Sequence, residues 1–196
     1  MIRIAVSCAL LAVACAAFVD EPLARWLATR ETHPHAWEDA VHVLEYAIGL
    51  EPWKWLGVTV LVAGAVGSML WRRQAAAAWL TVASSHLLAR NLMLWGKTLT
   101  GRLRPSEWHG GATWFQGGSS FPSGHVVLFA SLALPLAVMY PRLRVLVVVP
   151  VFAAVARVMA SAHFASDVVG AFALCAAVTA LCQWVVKRSL QPGGAR

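Results

Sequence analysis

Six apolar runs, most of them close to twenty residues long, account for more than half of this chain. They cover residues 2–19, 55–71, 75–96, 123–140, 143–162 and 165–186. A helix needs roughly 20 mainly apolar residues to cross a bilayer. Lipid satisfies no backbone polar group, so a segment inside it must close its own hydrogen bonds as a helix. The predicted fold is therefore all-α: a polytopic membrane bundle of six transmembrane helices, forming one membrane domain over residues 1–196. Composition agrees, with 59% hydrophobic and 13% charged residues, where a soluble domain carries about 25% charged. A chain of 196 residues has no room for six spans and a separate soluble domain.

The first run resembles a signal peptide in its small residues Ala14-Cys15-Ala16, but a first spanning helix over 2–19 explains it more simply. Either reading leaves the next segment outside the cytosol. Residues 36–50, AWEDAVHVLEYAIGL, place Ala40, Val41, Val43, Leu44, Ala47 and Ile48 near one helical face and Glu38, Asp39, His42 and Glu45 towards the other. That pattern predicts an interfacial amphipathic helix between the first and second spans. The four cysteines, Cys8, Cys15, Cys175 and Cys182, lie inside apolar runs and read as small buried residues.

Charge orients the bundle. Arg3, Arg72, Arg73, Arg142, Arg144, Lys187, Arg188 and Arg196 fall at one end of the predicted spans, and no acidic residue accompanies them. All nine acidic residues fall elsewhere. Lys/Arg bias marks the cytosolic side, so both termini are expected in the cytosol of a cell (inner) membrane. Loops 20–54 and 97–122 would then face the periplasm or exterior. The net charge of +7 is mostly this orientation signal, and no nucleic-acid module accompanies it.

Three polar segments meet at the predicted outer face without serving the membrane architecture. Lys97-Thr98-Leu99-Thr100-Gly101-Arg102-Leu103-Arg104-Pro105 places three cations in eight residues. Alone it reads equally as snorkelling side chains or as an anion clamp, since Arg offers a planar fork matched to phosphate oxygens. Phe121-Pro122-Ser123-Gly124-His125 suits a helix start, whose free N–H groups attract anions. Arg157 to Asp167 spans the turn between the last two runs and sets His163 four residues before Asp167. If a helix starts near His163, the two share a face, and a carboxylate beside an imidazole fixes its tautomer. Together these residues suit a phosphoryl group. No HExxH, DxD or Cys/His ligand set is present, so neither a metal nor another cofactor is expected.

At these residues the chain resembles the type 2 phosphatidic acid phosphatase (PAP2) superfamily, whose motifs read K-x6-R-P, P-S-G-H and S-R-x5-H-x3-D. The matches are Lys97…Arg104-Pro105, Pro122-Ser123-Gly124-His125 and Arg157…His163…Asp167, within a core of about 75–188. One departure is Ala156, where the family has a Ser that supports phosphate binding. The resemblance implies that His163 is the nucleophile, forming a phosphohistidine, and that Asp167 orients it. It implies that His125 protonates the leaving oxygen and later activates water. Lys97, Arg104, Arg157, Ser123 and the Gly124 N–H would hold the phosphate. The implied activity is metal-independent hydrolysis of a membrane lipid phosphate or diphosphate, with no nucleic acid and no obligatory protein partner. Phosphatidic acid, phosphatidylglycerophosphate, undecaprenyl diphosphate and the 1-phosphate of lipid A are candidate substrates. A lipid-to-lipid phosphotransferase and a non-catalytic membrane protein with an anion site are the alternatives. His86, Arg90 and Lys97 lie on roughly one face of the third span; Arg90 is expected to snorkel, to pair within the bundle or to line a headgroup pocket, and Arg102 has no assigned role. In loop 106–121, Trp108, Trp114 and Phe115 are expected to anchor at the interface, contact acyl chains or cover the site.

Overall fold

Helices and short 3-10 turns, without a strand, make up the described part of the computed structural model, which comprises residues 1–30, 34–47, 56–71 and 73–190. The helices are α1 (Ile2–Phe18), α2 (Asp20–Ala28), α3 (Pro34–Ala47), α4 (Leu56–Trp71), α5 (Arg73–Thr100), α6 (Gly124–Met139), α7 (Val148–Met159) and α8 (Ala165–Leu190). Each predicted run overlaps one of α1, α4, α5, α6, α7 and α8, and α2 and α3 fall in the interval between the first two. Among the described residues, α8 alone is long and apolar enough to cross a bilayer (Ala165–Ser189); α1 and α2, bent by 57°, pass together as a pair. α4 and α6 are apolar but shorter.

α8 is the central helix, packed against α1, α5 and α6. Its contact face is built of small residues. Ala89, Ala130, Ala171, Cys175 and Ala176 are all fully buried in one cluster, and small side chains let helix backbones approach closely. No cysteine is in a disulfide, and three of the four are buried. The outer surface is unlike that of a soluble protein. Leu10, Val13, Val66, Leu70, Leu94 and Val155 are each more than half exposed. Apolar surface of this extent on several helices marks a lipid or protein contact. Trp26, Trp95 and Trp184 are also about half exposed or more, at helix ends as an aromatic belt requires.

Two expectations change. The run 143–162 is not one helix: a 3-10 segment, Pro141–Val147, precedes α7. Pro150 falls in the first turn of α7, where its missing N–H costs no intrahelical bond, so this point suits a helix start better than a helix interior. The predicted amphipathic helix appears as α3, but its orientation differs. Residues 48–50 of that prediction lie outside the described residues. Val41 is fully buried against Phe129, Ala153 and Ala156, with Trp37 and Leu44 beside it. Turning Val41 inward carries residues three before and four after it to the same side. Glu38 and Glu45 thus face the bundle, while Val43 and Tyr46 face outward.

Candidate active site

α5 ends where α6 begins, and α7 ends where α8 begins, so all three polar segments reach one end of the bundle. Gly101 closes α5 with φ +49°, the left-handed conformation that terminates helices. The chain then folds back on itself. Leu103 N–H donates to Thr113 O, Phe115 N–H to Thr100 O and Ser120 N–H to Arg102 O. Gly118 permits this close approach, since a Cβ there would lie 2.3 Å from the Arg102 carbonyl oxygen. Ser106 N–H donates to Ser161 O and Ser123 N–H to Asp167 O, tying this loop and the α6 start to the α7–α8 turn.

A cavity of about 260 Å³ opens between these segments, lined by Lys97, Arg104, Gly124, His125, Arg157 and His163, with Arg90, Leu128 and Glu45. Lys97 Nζ donates to the Ser119 carbonyl. The Arg104 backbone N–H donates to Glu107 Oε2 at 3.0 Å, and its guanidinium has no ion pair among the described residues. Arg157 is 5% exposed. Its Nη1 lies 3.8 Å from Glu38 Oε1, while its buried Nε has no hydrogen-bond partner among the described residues. His125 Nε2 is 3.4 Å from Glu45 Oε1, and its ring meets that of His42 edge-on at 6.3 Å. Several fixed cations around a concave space leave unspent donors for an anion.

Behind the cavity stands a buried polar network. The sequence predicts a helix starting near His163, but α8 starts at Ala165 and His163 sits in the turn two residues before it, so it and Asp167 do not share a helical face. The helix start still brings them together. Asp167, in the first turn, accepts from the Phe164 N–H at 2.9 Å with Oδ2, as the third residue of a capping box does. The same oxygen lies 3.6 Å from His163 Nδ1, too far for a hydrogen bond. Ser120 bridges the gap: its hydroxyl donates to Asp167 Oδ2 at 2.5 Å and lies 3.3 Å from His163 Nδ1. An Nδ1–H directed at these acceptors leaves the Nε2 lone pair free. Burial pushes the His163 ring below the ordinary histidine range, and the Asp167 carboxylate partly counteracts this. The ring is thus neutral at neutral pH, the form whose Nε2 carries a free lone pair.

Arg102 anchors the other side of Asp167. Its guanidinium is 1% exposed. Nη1 donates to Asp167 Oδ1 and to Ser166 Oγ, each at 2.5 Å, and Nη2 donates to Asp20 Oδ2 at 2.6 Å. Trp114 and Phe164 cover it, at 4.1 and 4.4 Å from their ring centres. Asp20, at the start of α2, also accepts from the Ser166 N–H at 3.0 Å. One cation therefore lies between two buried carboxylates, as burying such charges requires.

Six of the eight residues singled out in the sequence line the cavity. Asp167 lies behind His163, and Ser123 is fully buried without lining the cavity, its hydroxyl without a partner among the described residues. Ala156 packs against Val41 and Phe129 and offers no hydroxyl. Trp114 covers Arg102, and Trp108 stacks edge-on with Phe164, whereas Phe115 is exposed. His86 is a structural tie, with Nδ1 2.8 Å from Ser131 Oγ. The sequence reading missed Ser120, Asp20, Glu38 and Glu45 and left Arg102 unassigned. Only Arg102 carried a signal, as a cation beside the matched Arg104 with no task of its own.

The model of the PAP2 superfamily matches residues 55–191. Among solved structures, the chain is similar to the crystal structure of the first transmembrane PAP2 type phosphatidylglycerolphosphate phosphatase from Bacillus subtilis. The two are 20% identical, the match covers 98% of each chain, and the TM-score is 0.53. No curated protein matches this chain.

Proposed function

The chain belongs to the PAP2 superfamily, and from that premise we propose that it is an integral membrane phosphatase acting on a lipid phosphate or diphosphate through a phosphohistidine. The observation that carries this reading is the single cavity in which His163 and His125 face three cations, Lys97, Arg104 and Arg157. Phosphate ester hydrolysis is among the slowest uncatalysed reactions, and a nucleophile divides it into two easier steps.

In the first step the Nε2 lone pair of His163 attacks phosphorus and the bond to the leaving oxygen breaks. His125 gives that oxygen its proton, so the lipid departs as an alcohol or as a shorter phosphate. The imidazolium formed at His163 is stabilised by Asp167, directly and through Ser120, and Arg102 holds Asp167 in place. In the second step His125 takes a proton from water, the hydroxyl attacks phosphorus, and the P–N bond breaks to restore His163. Lys97, Arg104, Arg157 and the Gly124 N–H stabilise the equatorial oxygens as charge spreads over them. Ser123 joins them once its unpartnered hydroxyl turns towards the phosphate.

In this reading α1, α4, α5, α6, α7 with its preceding turn, and α8 are the six spans. Arg142 and Arg144 follow the end of α6, and Lys187 and Arg188 lie in the last turn of α8, away from the site. The Lys/Arg rule then puts both termini in the cytosol and the cavity at the outer leaflet. Exposed apolar side chains on several helices support membrane residence.

The test is phosphate release from lipid phosphates in detergent with a chelator present. The wild type should hydrolyse at least one, and His163→Ala should abolish release while staying folded. With substrate labelled in its terminal phosphate, His125→Ala should accumulate protein-bound label that acid removes and base does not. Full activity in His163→Ala would end this account.

A further inference from the structure

Arg90 lies on α5 seven residues before Lys97. At 1.5 Å and 100° per residue it shares the face of Lys97 and sits about 10 Å farther from the mouth of the site. It lines the same cavity as Lys97, His125 and His163, beside Leu128, which is three residues past His125 on α6. It therefore lies about two turns along α5 from Lys97, within the cavity that His125 and His163 also line. Arg90 has no hydrogen bond or ion pair among the described residues. His86, one turn earlier, is tied to Ser131 and offers it no negative charge. A guanidinium at this depth without an internal partner is a functional candidate by default. It is also surplus, because Lys97, Arg104 and Arg157 already suffice for the oxygens of one phosphoryl group.

Resting on the phosphatase reading above, we infer that Arg90 forms a second anion subsite for a phosphoryl group carried by the leaving group, so that the preferred substrates are lipids with two phosphorus centres. The first phosphoryl group lies among Lys97, Arg104 and Arg157 and is transferred to His163. The second remains on the lipid, past the oxygen that His125 protonates, and Arg90 binds it. Two linkages present this chemistry: a lipid diphosphate, and a phosphodiester lipid bearing a terminal phosphomonoester. A simple phosphatidic acid presents nothing to Arg90.

The experiment compares kcat/KM on matched pairs. Phosphatidylglycerophosphate is set against phosphatidic acid, and a polyprenyl diphosphate against its monophosphate, for wild type, Arg90→Gln and Arg90→Lys. The wild type should prefer at least one two-phosphorus partner. Arg90→Gln should lower that preference roughly tenfold to a hundredfold, the worth of one charge-assisted hydrogen bond, and Arg90→Lys should restore part of it. Which pair responds identifies the linkage. An unchanged ratio in Arg90→Gln, or equal losses on both members of each pair, overturns the subsite. A second arm needs no turnover: inorganic pyrophosphate should raise the melting temperature more than orthophosphate, and Arg90→Gln should remove the difference. If the wild type hydrolyses nothing, the catalytic reading has failed and this arm alone decides the subsite. Should Arg90→Gln fail to fold, Arg90→Lys is read in its place, with a smaller drop in both arms expected and no drop overturning the proposal.

Discussion

Arg102 is the residue whose removal has the most calculable consequence. Its guanidinium bridges Asp20 and Asp167, which are 4% and 0% exposed. Arg102→Met removes the cation and leaves two carboxylates buried near one another. Breaking a buried pair by deleting one partner costs about 3–5 kcal/mol. For a chain of this size, each kcal/mol moves the midpoint of thermal unfolding by about 2–4 °C. The expected drop is therefore about 6–20 °C in detergent. Asp20→Asn is milder, because the amide oxygen still accepts a hydrogen bond and Asp167 still neutralises Arg102; it should cost about 1–3 kcal/mol. In the double variant the repulsion between the carboxylates is gone. Its loss should fall short of the summed single losses by about 1–3 kcal/mol, as for residues sharing one network. A double-mutant cycle from thermal or denaturant unfolding measures this. Additivity within about 0.5 kcal/mol, or an Arg102→Met loss below about 1 kcal/mol, would refute the claim that one cation holds both carboxylates.

Ser120→Ala should lower kcat by about one to two orders of magnitude, the scale of losing a group that assists proton placement, with little change in KM; steady-state kinetics on the best lipid substrate would show it. The acid limb of kcat/KM should lie below the ordinary histidine pKa, because burial disfavours the imidazolium at His163. Asp167→Asn removes the carboxylate that favours the charged ring, so the limb should move to still lower pH in any variant that retains measurable rate. Glu38→Gln should free Arg157 from its 3.8 Å partner. That pair is partly exposed and worth under about 1 kcal/mol, so KM should fall by no more than about fivefold, as an initial-rate series would reveal.

The positions of the helices were legible because the apolar runs are long and close to uninterrupted. Six of the cavity residues were legible because three spaced motifs carry them, and spacing along a chain survives in any structure. What lay between motifs was not legible. Ser120 is one serine in a run of glycines and serines, and only the loop that pairs residues 100–103 with 113–120 turns it towards His163. Asp20 stands about 80 residues before Arg102, and nothing local announces their pairing. The face of α3 was misread for a physical reason. An amphipathic pattern distinguishes polar from apolar sides, but it does not say whether the polar side meets water or a charged cavity. The start of α7 had a local cue in Pro150, which suits a first turn, but Pro135 inside the unbroken α6 is as prominent in the sequence, so the cue did not separate a break from a continuous helix.

The inward turn of α3 bears on how the enzyme empties itself. Glu38 and Glu45 sit against Arg157 and His125 before any ligand arrives, so the cavity at rest is already partly neutralised. An incoming dianion has to displace these carboxylates, and a lipid can meet that cost with the contacts of its tail and glycerol or prenyl portion. Free orthophosphate has no such contacts. In the proposed reaction, once the ester bond is gone, Glu38 competes with the product for Arg157 and Glu45 for His125, which favours ejection over product inhibition.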